Sequence, residues 1–236
     1  MGIIKPRRRK GDPEISENAI MIMPKRELNR VIASLNMKDY GELDGCLYRL
    51  FVGMQGLAIC GPFLGAPQAV LGLEKLIALG AKKIWVFSWC GSISRDVNIG
   101  DIVLPTYAFS EEGTSQHYPL DFEPFPDKDM MKQIKYALLS QNVPFCEGPL
   151  VTTDAPYRET KEKIQKYQEK GVLGIDMEIS ALIRVANFRS VSIAGIFVVS
   201  DELYLDKWKP GFSTPQVKSA SEKALEMIVK LASKEL

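Results

Sequence analysis

Residues 171–202 read GVLGIDMEISALIRVANFRSVSIAGIFVVSDE and contain two apolar runs with an amphipathic stretch between them. The first run, Gly171–Asp176, predicts a short buried strand. The residues after it place apolar side chains at the i, i+3, i+4, i+7 spacing of a helix that ends near Phe188, namely Ile179, Leu182, Ile183 and Ala186. The second run, Ser192–Val199, is apolar almost throughout, which is typical of a strand covered on both faces.

Acidic side chains follow both apolar runs. Asp176 and Glu178 come at the end of the first run, and Asp201 and Glu202 come at the end of the second. Ligands of open α/β sheets bind at the carboxyl ends of the strands. We therefore expect a ligand site at this edge of the sheet, with Glu178 and Asp201 on adjacent strand ends.

The composition is typical of one large α/β domain. The chain has 236 residues, of which 46% are apolar and 25% are charged, and its net charge of +1 gives no reason to expect a nucleic-acid partner. The sequence shows neither an apolar run long enough to cross a membrane nor a signal peptide. We therefore expect a cytoplasmic protein without a membrane partner.

The cysteine and histidine residues argue against a metal site. The four cysteines have no close metal-type spacing and are expected to be reduced thiols, namely Cys46, Cys60, Cys90 and Cys146. The single histidine, His117, argues against a His-based zinc site or a catalytic triad. We predict that the protein binds no metal.

The rest of the chain alternates predicted strands with predicted helices. Residues 1–18 are expected to form a basic irregular arm, and residues 19–236 a single domain. Further strands are predicted at 19–23, 46–51, 56–60 and 145–152 and from 83 and 100 onward, further helices at 24–35, 128–141, 158–170 and 215–231, and a loop at 204–214. This alternation predicts a three-layer α/β/α fold around a central mixed sheet that is mostly parallel.

Two segments outside the acidic clusters could contact an anion. The run Lys5–Lys10 is expected to be a solvated tail, with contact to a phosphate or to a neighbouring subunit as the alternative. A glycine-punctuated loop, Gly61–Pro67, leads into a predicted helix that ends before Gly80. Backbone N–H groups of such a loop can hold an anion, although the loop alone is weak evidence for that role.

The motif Gly-Ile-Asp176-Met177-Glu178 before a small-residue helix, followed by Val-Val-Ser200-Asp201, resembles the nucleoside phosphorylase family. This family contains purine nucleoside phosphorylases, uridine phosphorylases and related nucleosidases. Gly-Asp-Ile-Val at 100–103 and the polar loop 111–118 are also similar to family segments. The resemblance implies a nucleoside phosphorylase-like fold and a homo-oligomer (a dimer, trimer or hexamer) that completes its sites across subunits.

The resemblance also implies a reaction and its ligands. We expect cleavage of the N-glycosidic bond of a purine-type nucleoside by phosphate, giving free base and ribose 1-phosphate in purine salvage. The partners would be a nucleoside and inorganic phosphate, the latter as co-substrate with no other cofactor. A Rossmann oxidoreductase lacks support, because no G-x-G-x-x-G motif follows the first predicted strand.

Glu178 matches the carboxylate that holds the ribose hydroxyls in the family. Such a carboxylate accepts two charge-assisted hydrogen bonds and lies near the positive charge that develops on the sugar. The residues alone are equally consistent with a helix N-terminal glutamate favoured by the helix dipole. By the same resemblance, Met177 packs beneath the sugar, and Asp176 occupies a position that is acidic in purine enzymes.

Asp201 matches the family's acid, which serves N7 of a purine and must hold a proton near neutral pH. A polar cap at a strand end is the alternative. Tyr157 would stack on or flank the base, or it is an ordinary core aromatic. Thr160 and Glu162 stand where uridine phosphorylases read uracil with Gln and Arg, which argues against uridine as the substrate.

The resemblance assigns further residues to nucleoside binding. These are Cys90, Gly91 and Ser92 at the end of the strand that begins at Lys83, His117 in the polar loop, and Thr153 at a strand end.

The phosphate motif of the family is altered in this chain. The Gly-Asp-Pro-x-x-Arg turn corresponds to Pro24–Arg30, a second phosphate arginine to Val86, and a phosphate-binding hydroxyl to Trp89. Replacement ligands for the anion are expected at Lys25, Arg26, Arg30, Gly65 and Ser88. Three interpretations stay open at this point: a rebuilt phosphate site, attack by water in a nucleosidase, or a non-catalytic nucleoside-binding protein in which Trp89 fills the anion pocket.

Overall fold

The first strand, β1 at Asn18–Ile22, is buried along its whole length in the computed structural model. Ala19 and Met21 pack into one apolar cluster, whereas Ile20 and Ile22 pack into another. Successive side chains of a strand point to opposite faces of a sheet. The alternation therefore places β1 between two apolar layers.

The structure describes residues 2–42, 47–204 and 207–233. In these ranges the strands after β1 are β2 Lys38–Glu42, β3 Arg49–Val52, β4 Ala58–Gly61, β5 Lys83–Ser92, β6 Ile102–Ser110, β7 Cys146–Thr152, β8 Gly174–Asp176, β9 Ser192–Glu202 and β10 Lys209–Pro210. The helices are α1 Lys25–Ser34, α2 Ala66–Leu79, α3 Lys128–Ser140, α4 Lys161–Gln168, α5 Ile179–Phe188 and α6 Pro215–Ser233. Short 3₁₀ turns lie at Met54–Gly56, Ser115–His117 and Pro156–Arg158.

The strands form one mixed sheet that closes on itself in part. Strand β5 pairs with β1, β8 and β9, and the chain of pairings β9–β6–β7–β8 returns to β5. Five strands therefore enclose a barrel, from which β1, β4, β3 and β2 extend as an open sheet. Pairings β1–β4, β1–β5, β5–β9, β6–β7 and β7–β8 are parallel, and the remaining pairings are antiparallel.

Helices cover both faces of the sheet, which confirms the predicted three-layer α/β/α fold. Helices α2 and α5 contribute to the same apolar cluster as Ala19 and Met21. Helices α1, α3 and α6 contribute to the cluster that contains Ile20 and Ile22. Removal of these apolar surfaces from water is the main favourable contribution to folding.

The glycine loop leads into α2 as expected from the sequence. Pro67 lies in the first turn of α2, and Gly80 caps its end with a φ of 118°. That left-handed conformation favours glycine, because a Cβ would strain it. Helix α2 therefore begins and ends where the sequence predicts.

The N-terminal arm contacts helix α2. Residues 2–17 contain no helix or strand, but a guanidinium nitrogen of Arg8 donates to the carbonyl oxygen of Leu79 at 2.7 Å. The buried ammonium group of Lys75 lies 2.6 Å from a carboxylate oxygen of Asp12. The arm is thus held against α2 at these points, while most of its residues are exposed.

Several elements differ from those expected from the sequence. Strand β2 was not predicted, and the expected helix at 158–170 is a 3₁₀ turn followed by α4, which Thr160 caps. The expected loop at 204–214 contains β10. The strands expected at 46–51 and 56–60 are present as β3 and β4, which pair antiparallel, with Cys46 outside the described residues.

Cys60, Cys90 and Cys146 are free thiols in the structure, and Cys46 lies outside the described residues. Burial raises the pKa of the Cys60 and Cys90 thiols well above their usual range. Across the described ranges, no helix combines the length and apolar character needed to cross a membrane.

Candidate active site

A cavity of about 900 Å³ opens where β1, β5, β8 and β9 end. The loop before α2, the turn at 156–158 and the segment after β9 supply its other walls. Ten residues singled out from the sequence line this cavity, namely Lys25, Arg26, Ser88, Cys90, Gly91, Tyr157, Asp176, Met177, Glu178 and Asp201. The structure therefore brings the two acidic clusters and the altered phosphate segment to one site.

The strand ends that carry the acidic clusters are not hydrogen-bonded to each other. Strand β5 lies between β8 and β9, with Gly91 opposite both Ile175 and Asp201. Strand β8 runs antiparallel to β5. The expectation of adjacent strand ends is thus corrected, because closure of the barrel inserts β5 between them. Asp176 and Asp201 reach the cavity from opposite sides of β5.

Glu178 is held at the start of α5 beside the glycine loop. Its carboxylate is only 5% exposed, and its Oε1 accepts a 2.6 Å hydrogen bond from the backbone N–H of Gly65. Burial, with the nearby charge of Asp176, raises the pKa of Glu178 above its usual range. The backbone N–H of Met177 also contacts this carboxylate, and the side chain lines the cavity, where a ligand can reach it.

Asp176 is occupied in holding the junction between β8 and α5. The hydroxyl group of Thr152 donates to Oδ1 at 2.6 Å, and the backbone N–H groups of Glu178 and Ile179 donate to Oδ2 at 2.9 and 2.7 Å. These bonds satisfy the first N–H groups of α5, as a capping side chain does. Asp176 therefore caps α5, whereas Glu178, for which a helix N-terminal role was the alternative, lines the cavity.

Asp201 accepts hydrogen bonds on both carboxylate oxygens. The hydroxyl group of Ser200 donates to Oδ1 at 2.7 Å, and the indole N–H of Trp208 donates to Oδ2 at 2.8 Å. Trp208 directly precedes β10, which pairs with the end of β9. The contact between Trp208 and Asp201 is not predicted from the sequence, because Trp208 lies in a segment expected to be a loop.

A glycine is required beside Asp201. A Cβ placed on Gly91 would lie 2.4 Å from a methyl carbon of Leu203 and 3.2 Å from Oδ2 of Asp201. The first distance is shorter than any stable contact between carbon atoms. Gly91 therefore lets the β5 backbone approach the carboxylate closely.

Aromatic side chains form one wall of the cavity. The ring centroid of Phe212 lies 5.9 Å from that of Trp89 and 6.2 Å from that of Trp208. The indole N–H of Trp89 donates to the hydroxyl group of Ser221 at 3.1 Å. Tyr157 is fully exposed at the cavity mouth, which rules out the alternative that it is a core aromatic.

The cations expected to hold phosphate are partly engaged with Glu27. This carboxylate is fully buried. It lies 2.9 Å from Arg26 and 2.8 Å from Arg30. The guanidinium group of Arg26 also lies over the ring of Trp89, 4.8 Å from its centroid. Lys25 lines the cavity and has no ion-pair partner in the described part of the chain.

Five of the residues singled out from the sequence do not line the cavity. Arg30 pairs with Glu27 and Glu222, and Gly65 contributes only its N–H to Glu178. The Ser92 hydroxyl group donates to two carbonyl oxygens at 2.7 Å inside the fold. His117 is exposed in a 3₁₀ turn, and the Thr153 hydroxyl group accepts a hydrogen bond from the Ala155 N–H.

The cavity also contains side chains to which the sequence analysis gave no role. Glu159, Gln68, Leu64 and Leu203 line it together with the aromatic wall. The glutamate follows the turn at 156–158, and nothing in its local sequence marks it as a site residue. Its position depends on the three-dimensional course of that turn.

Comparisons with known proteins identify the family of the chain. A family model described as the phosphorylase superfamily matches residues 23–233. The chain is 26% identical over 176 residues to a guanosine phosphorylase of Halorubrum lacusprofundi, a match that covers 74% of this chain and 73% of that protein. It is 29% identical over 150 residues to a DeoD-type purine nucleoside phosphorylase of Clostridium novyi, covering 62% of this chain and 64% of that protein.

Solved structures share the fold. The structure of a purine nucleoside phosphorylase from Toxoplasma gondii in complex with immucillin-H superposes with a TM-score of 0.84 at 21% identity, covering 94% of this chain and 92% of that one. An AMP nucleosidase from Bacteroides thetaiotaomicron superposes with a TM-score of 0.73 at 17% identity, covering 93% and 91%. At these identities the likeness shows the fold alone.

Proposed function

The chain belongs to the phosphorylase superfamily, and on that basis we propose that it cleaves the N-glycosidic bond of a purine nucleoside with phosphate. The observation that carries the proposal is that Glu178 and Asp201 line a single cavity. Two acidic groups at one site match the two charges that develop when such a bond breaks. The guanosine and purine nucleoside phosphorylases to which the chain is similar support the same reaction.

In the proposed reaction, a phosphate oxygen forms a bond to C1′ of the ribose while the bond from C1′ to the base nitrogen breaks. The electron pair of the broken bond passes to the base, which takes up a proton at N7. The products are the free base and ribose 1-phosphate. The enzyme accelerates this step to the extent that it binds the separated charges more tightly than the intact nucleoside.

Glu178 is proposed to hold the ribose. The N–H of Gly65 fixes one carboxylate oxygen, and the other can accept hydrogen bonds from the vicinal 2′ and 3′ hydroxyl groups. Burial raises the pKa of Glu178. Hydrogen bonds from the sugar hydroxyl groups would stabilise the ionised carboxylate and so lower this pKa again. The ionised group then lies next to the positive charge that develops on the ribose. Met177, beside it in the cavity lining, is proposed to pack against the sugar.

Asp201 is proposed to serve the departing base. For proton transfer to N7, the protonated carboxyl must present Oδ2 to the base, at the position where the Trp208 indole donates a hydrogen bond. The base would therefore displace Trp208, while Ser200 keeps hold of Oδ1. After transfer, Asp201 regains a proton from solvent. Tyr157 at the cavity mouth is proposed to flank the base.

The phosphate is proposed to bind near Lys25, Arg26 and Ser88. All three line the cavity, and two cations with a hydroxyl donor provide the charge and hydrogen bonds that an oxyanion needs. No further cofactor is proposed. Attack by water is the second candidate, and it is favoured by the ion pair between Glu27 and Arg26, which neutralises part of that charge.

Exposed apolar side chains at the mouth of the cavity are the basis for proposing a homo-oligomer. Leu47, Leu64 and Tyr157 line the cavity and are 74%, 76% and 101% exposed. Exposed apolar side chains grouped at one place are typical of a surface that another chain covers. We propose that a second copy covers this mouth, which light scattering after size-exclusion chromatography would test. A cytoplasmic location is proposed on the free thiols of the chain.

Base release from guanosine, inosine, adenosine and uridine, measured with and without phosphate, tests the proposed reaction. Release that requires phosphate is expected for the purine nucleosides. Release of equal rate in phosphate-free buffer would establish the hydrolytic reaction instead. If no nucleoside is cleaved in either buffer, the catalytic proposal is wrong, and calorimetric titration with the same nucleosides would show whether the cavity only binds them.

A further inference from the structure

Glu159 is an ionisable side chain of the cavity that the proposed reaction does not use. It comes directly after the 3₁₀ turn Pro156–Arg158 and directly before Thr160, the N-cap of α4. Its side chain lines the cavity together with Pro156 and Tyr157 of the same turn. The turn thus contributes a carboxyl group to a wall that is otherwise largely apolar.

The carboxyl group of Glu159 accepts no hydrogen bond from the described part of the chain. The other cavity carboxylates accept hydrogen bonds: Asp176 from Thr152 and two backbone N–H groups, Glu178 from Gly65, and Asp201 from Ser200 and Trp208. No such bond reaches the Glu159 side chain from residues 2–42, 47–204 or 207–233. A half-buried carboxyl group without a donor is poised to accept one from a ligand.

Glu159 and Asp201 line the same cavity. Burial and the charge of Asp201 raise the pKa of Glu159 to about 7, whereas Lys163, which is ion-paired with Glu111, lowers it.

We propose that Glu159 binds the hydrogen-bonding edge of the base and makes guanosine the preferred substrate when its carboxyl group is ionised. This assignment rests on the proposed function, in which Asp201 serves N7 of the same base. An ionised carboxylate only accepts hydrogen bonds. Guanine presents two adjacent donors, N1–H and the 2-amino group, that a carboxylate can bind in parallel. Adenine presents its N1 lone pair at the same edge, which an ionised carboxylate repels.

Protonation of Glu159 reverses this discrimination. A neutral carboxyl group has one O–H donor and one acceptor oxygen, which match N1 and the 6-amino group of adenine. The preference for guanosine over adenosine therefore rises as the pH increases through about 7, the pKa of Glu159. Asp201 serves N7 of both bases in the proposed reaction, so that its contribution cancels in the ratio of the two specificity constants.

The test compares kcat/KM for guanosine and adenosine in the wild-type protein, Glu159→Gln and Glu162→Gln at about pH 6 and about pH 8. Glu162 is an exposed glutamate in the first turn of α4 and serves as the matched control. An amide presents one donor and one acceptor at every pH. In Glu159→Gln the guanosine-to-adenosine ratio at about pH 8 is expected to fall at least tenfold and to lose its dependence on pH.

The possible results distinguish the assignment of Glu159 from the proposed function. If wild type and Glu162→Gln share a ratio that rises with pH and Glu159→Gln does not, the assignment stands. If Glu159→Gln cleaves both nucleosides with the wild-type ratio at both pH values, the assignment of Glu159 is wrong and the proposed function is untouched. If the wild-type protein cleaves no nucleoside, the proposed function is wrong and the assignment falls with it.

Discussion

The indole nitrogen of Trp208 lies 2.8 Å from Oδ2 of Asp201 and donates a hydrogen bond to it. The acid proposed to serve the base is therefore tied to a residue seven positions later in the chain. The contact is local in sequence, but it forms only because Lys209 and Pro210 pair with the end of β9. An ion pair of 3.0 Å between Lys209 and Glu202 reinforces this pairing.

Removal of the indole donor should make Oδ2 of Asp201 easier for the base to reach. In the proposed reaction the base displaces the N–H of Trp208 from this oxygen, so that nucleoside binding breaks one hydrogen bond. In Trp208→Phe the aromatic ring remains beside Phe212 while the donor is lost. We expect the KM for a purine nucleoside to fall about threefold to tenfold, because this bond no longer has to be broken.

Trp89→Phe is the matched control for that experiment. Its indole N–H donates to Ser221 rather than to a carboxylate, and its ring packs against the same Phe212. The KM for the nucleoside should therefore stay at the wild-type value. An equal fall in KM in both variants would assign the effect to the aromatic wall in general and contradict a specific role for the bond from Trp208 to Asp201.

Replacement of Glu178 should remove cleavage without unfolding the protein. Glu178→Ala loses the ribose acceptor and leaves the Gly65 N–H without a partner, while Asp176 continues to cap α5. We expect kcat/KM for any nucleoside substrate to fall about 100-fold or more, since a preorganised charged group is lost from the transition state. Circular dichroism should show an intact fold, and Glu169→Ala, at an exposed glutamate, should leave the rate unchanged. Turnover near the wild-type rate in Glu178→Ala would remove this residue from the site.

Lys25 offers a direct test of the anion site. It lines the cavity, is exposed, and has no ion-pair partner in the described ranges. Lys25→Ala should raise the KM for phosphate by about tenfold, the loss expected for one charge-assisted contact, with a smaller effect on the KM for the nucleoside. Lys218→Ala, which removes an exposed lysine of α6 outside the cavity lining, should change neither constant. Equal KM values for phosphate in both variants would place the anion elsewhere.

The ionisation of Glu159 should also be visible in the stability of the unliganded protein. Its pKa is raised from 4.5 to about 7 in the folded chain. Between these values the unfolded chain has released the proton that the folded chain retains, so this group makes the free energy of unfolding fall as the pH rises from about 4.5 to about 7.

Glu159→Gln should lack that contribution. The difference in melting temperature between Glu159→Gln and wild type should grow in favour of the variant from about pH 5 to about pH 7 and then stay constant. The comparison with wild type at each pH removes the contributions of other groups, including Glu178, whose pKa is also raised. A difference independent of pH would mean that Glu159 titrates near its ordinary pKa of 4.5.

The sequence predicted most of the core because its strands are continuous apolar runs. The run Ser192–Val199 became the buried part of β9, and the spacing of Ile179, Leu182, Ile183 and Ala186 became the inner face of α5. Strand β2 was missed because its residues, KDYGE, are partly or fully exposed and carry no apolar alternation. Closure of the barrel was also missed, because pairing between distant strands leaves no local signal in the sequence.

The site was predictable where a motif fixes a side chain and unpredictable where only the tertiary path does. Glu178 and Asp201 were found through their motifs, and both line the cavity. Asp176 also lines the cavity, but the Thr152 hydroxyl group donates to its Oδ1, and the backbone N–H groups of Glu178 and Ile179 donate to its Oδ2. Trp208 and Glu159 enter the cavity from irregular segments, whose course is set by packing rather than by periodicity.

Phosphorus NMR of a mixture of the protein, guanosine and inorganic phosphate distinguishes phosphorolysis from hydrolysis. We expect the phosphate signal to decline while a sugar 1-phosphate signal appears, in an amount equal to the guanine released. Guanine released together with free ribose, with the phosphate signal unchanged, would contradict phosphorolysis. An unchanged mixture would contradict the claim that Glu178 and Asp201 together cleave the bond between sugar and base.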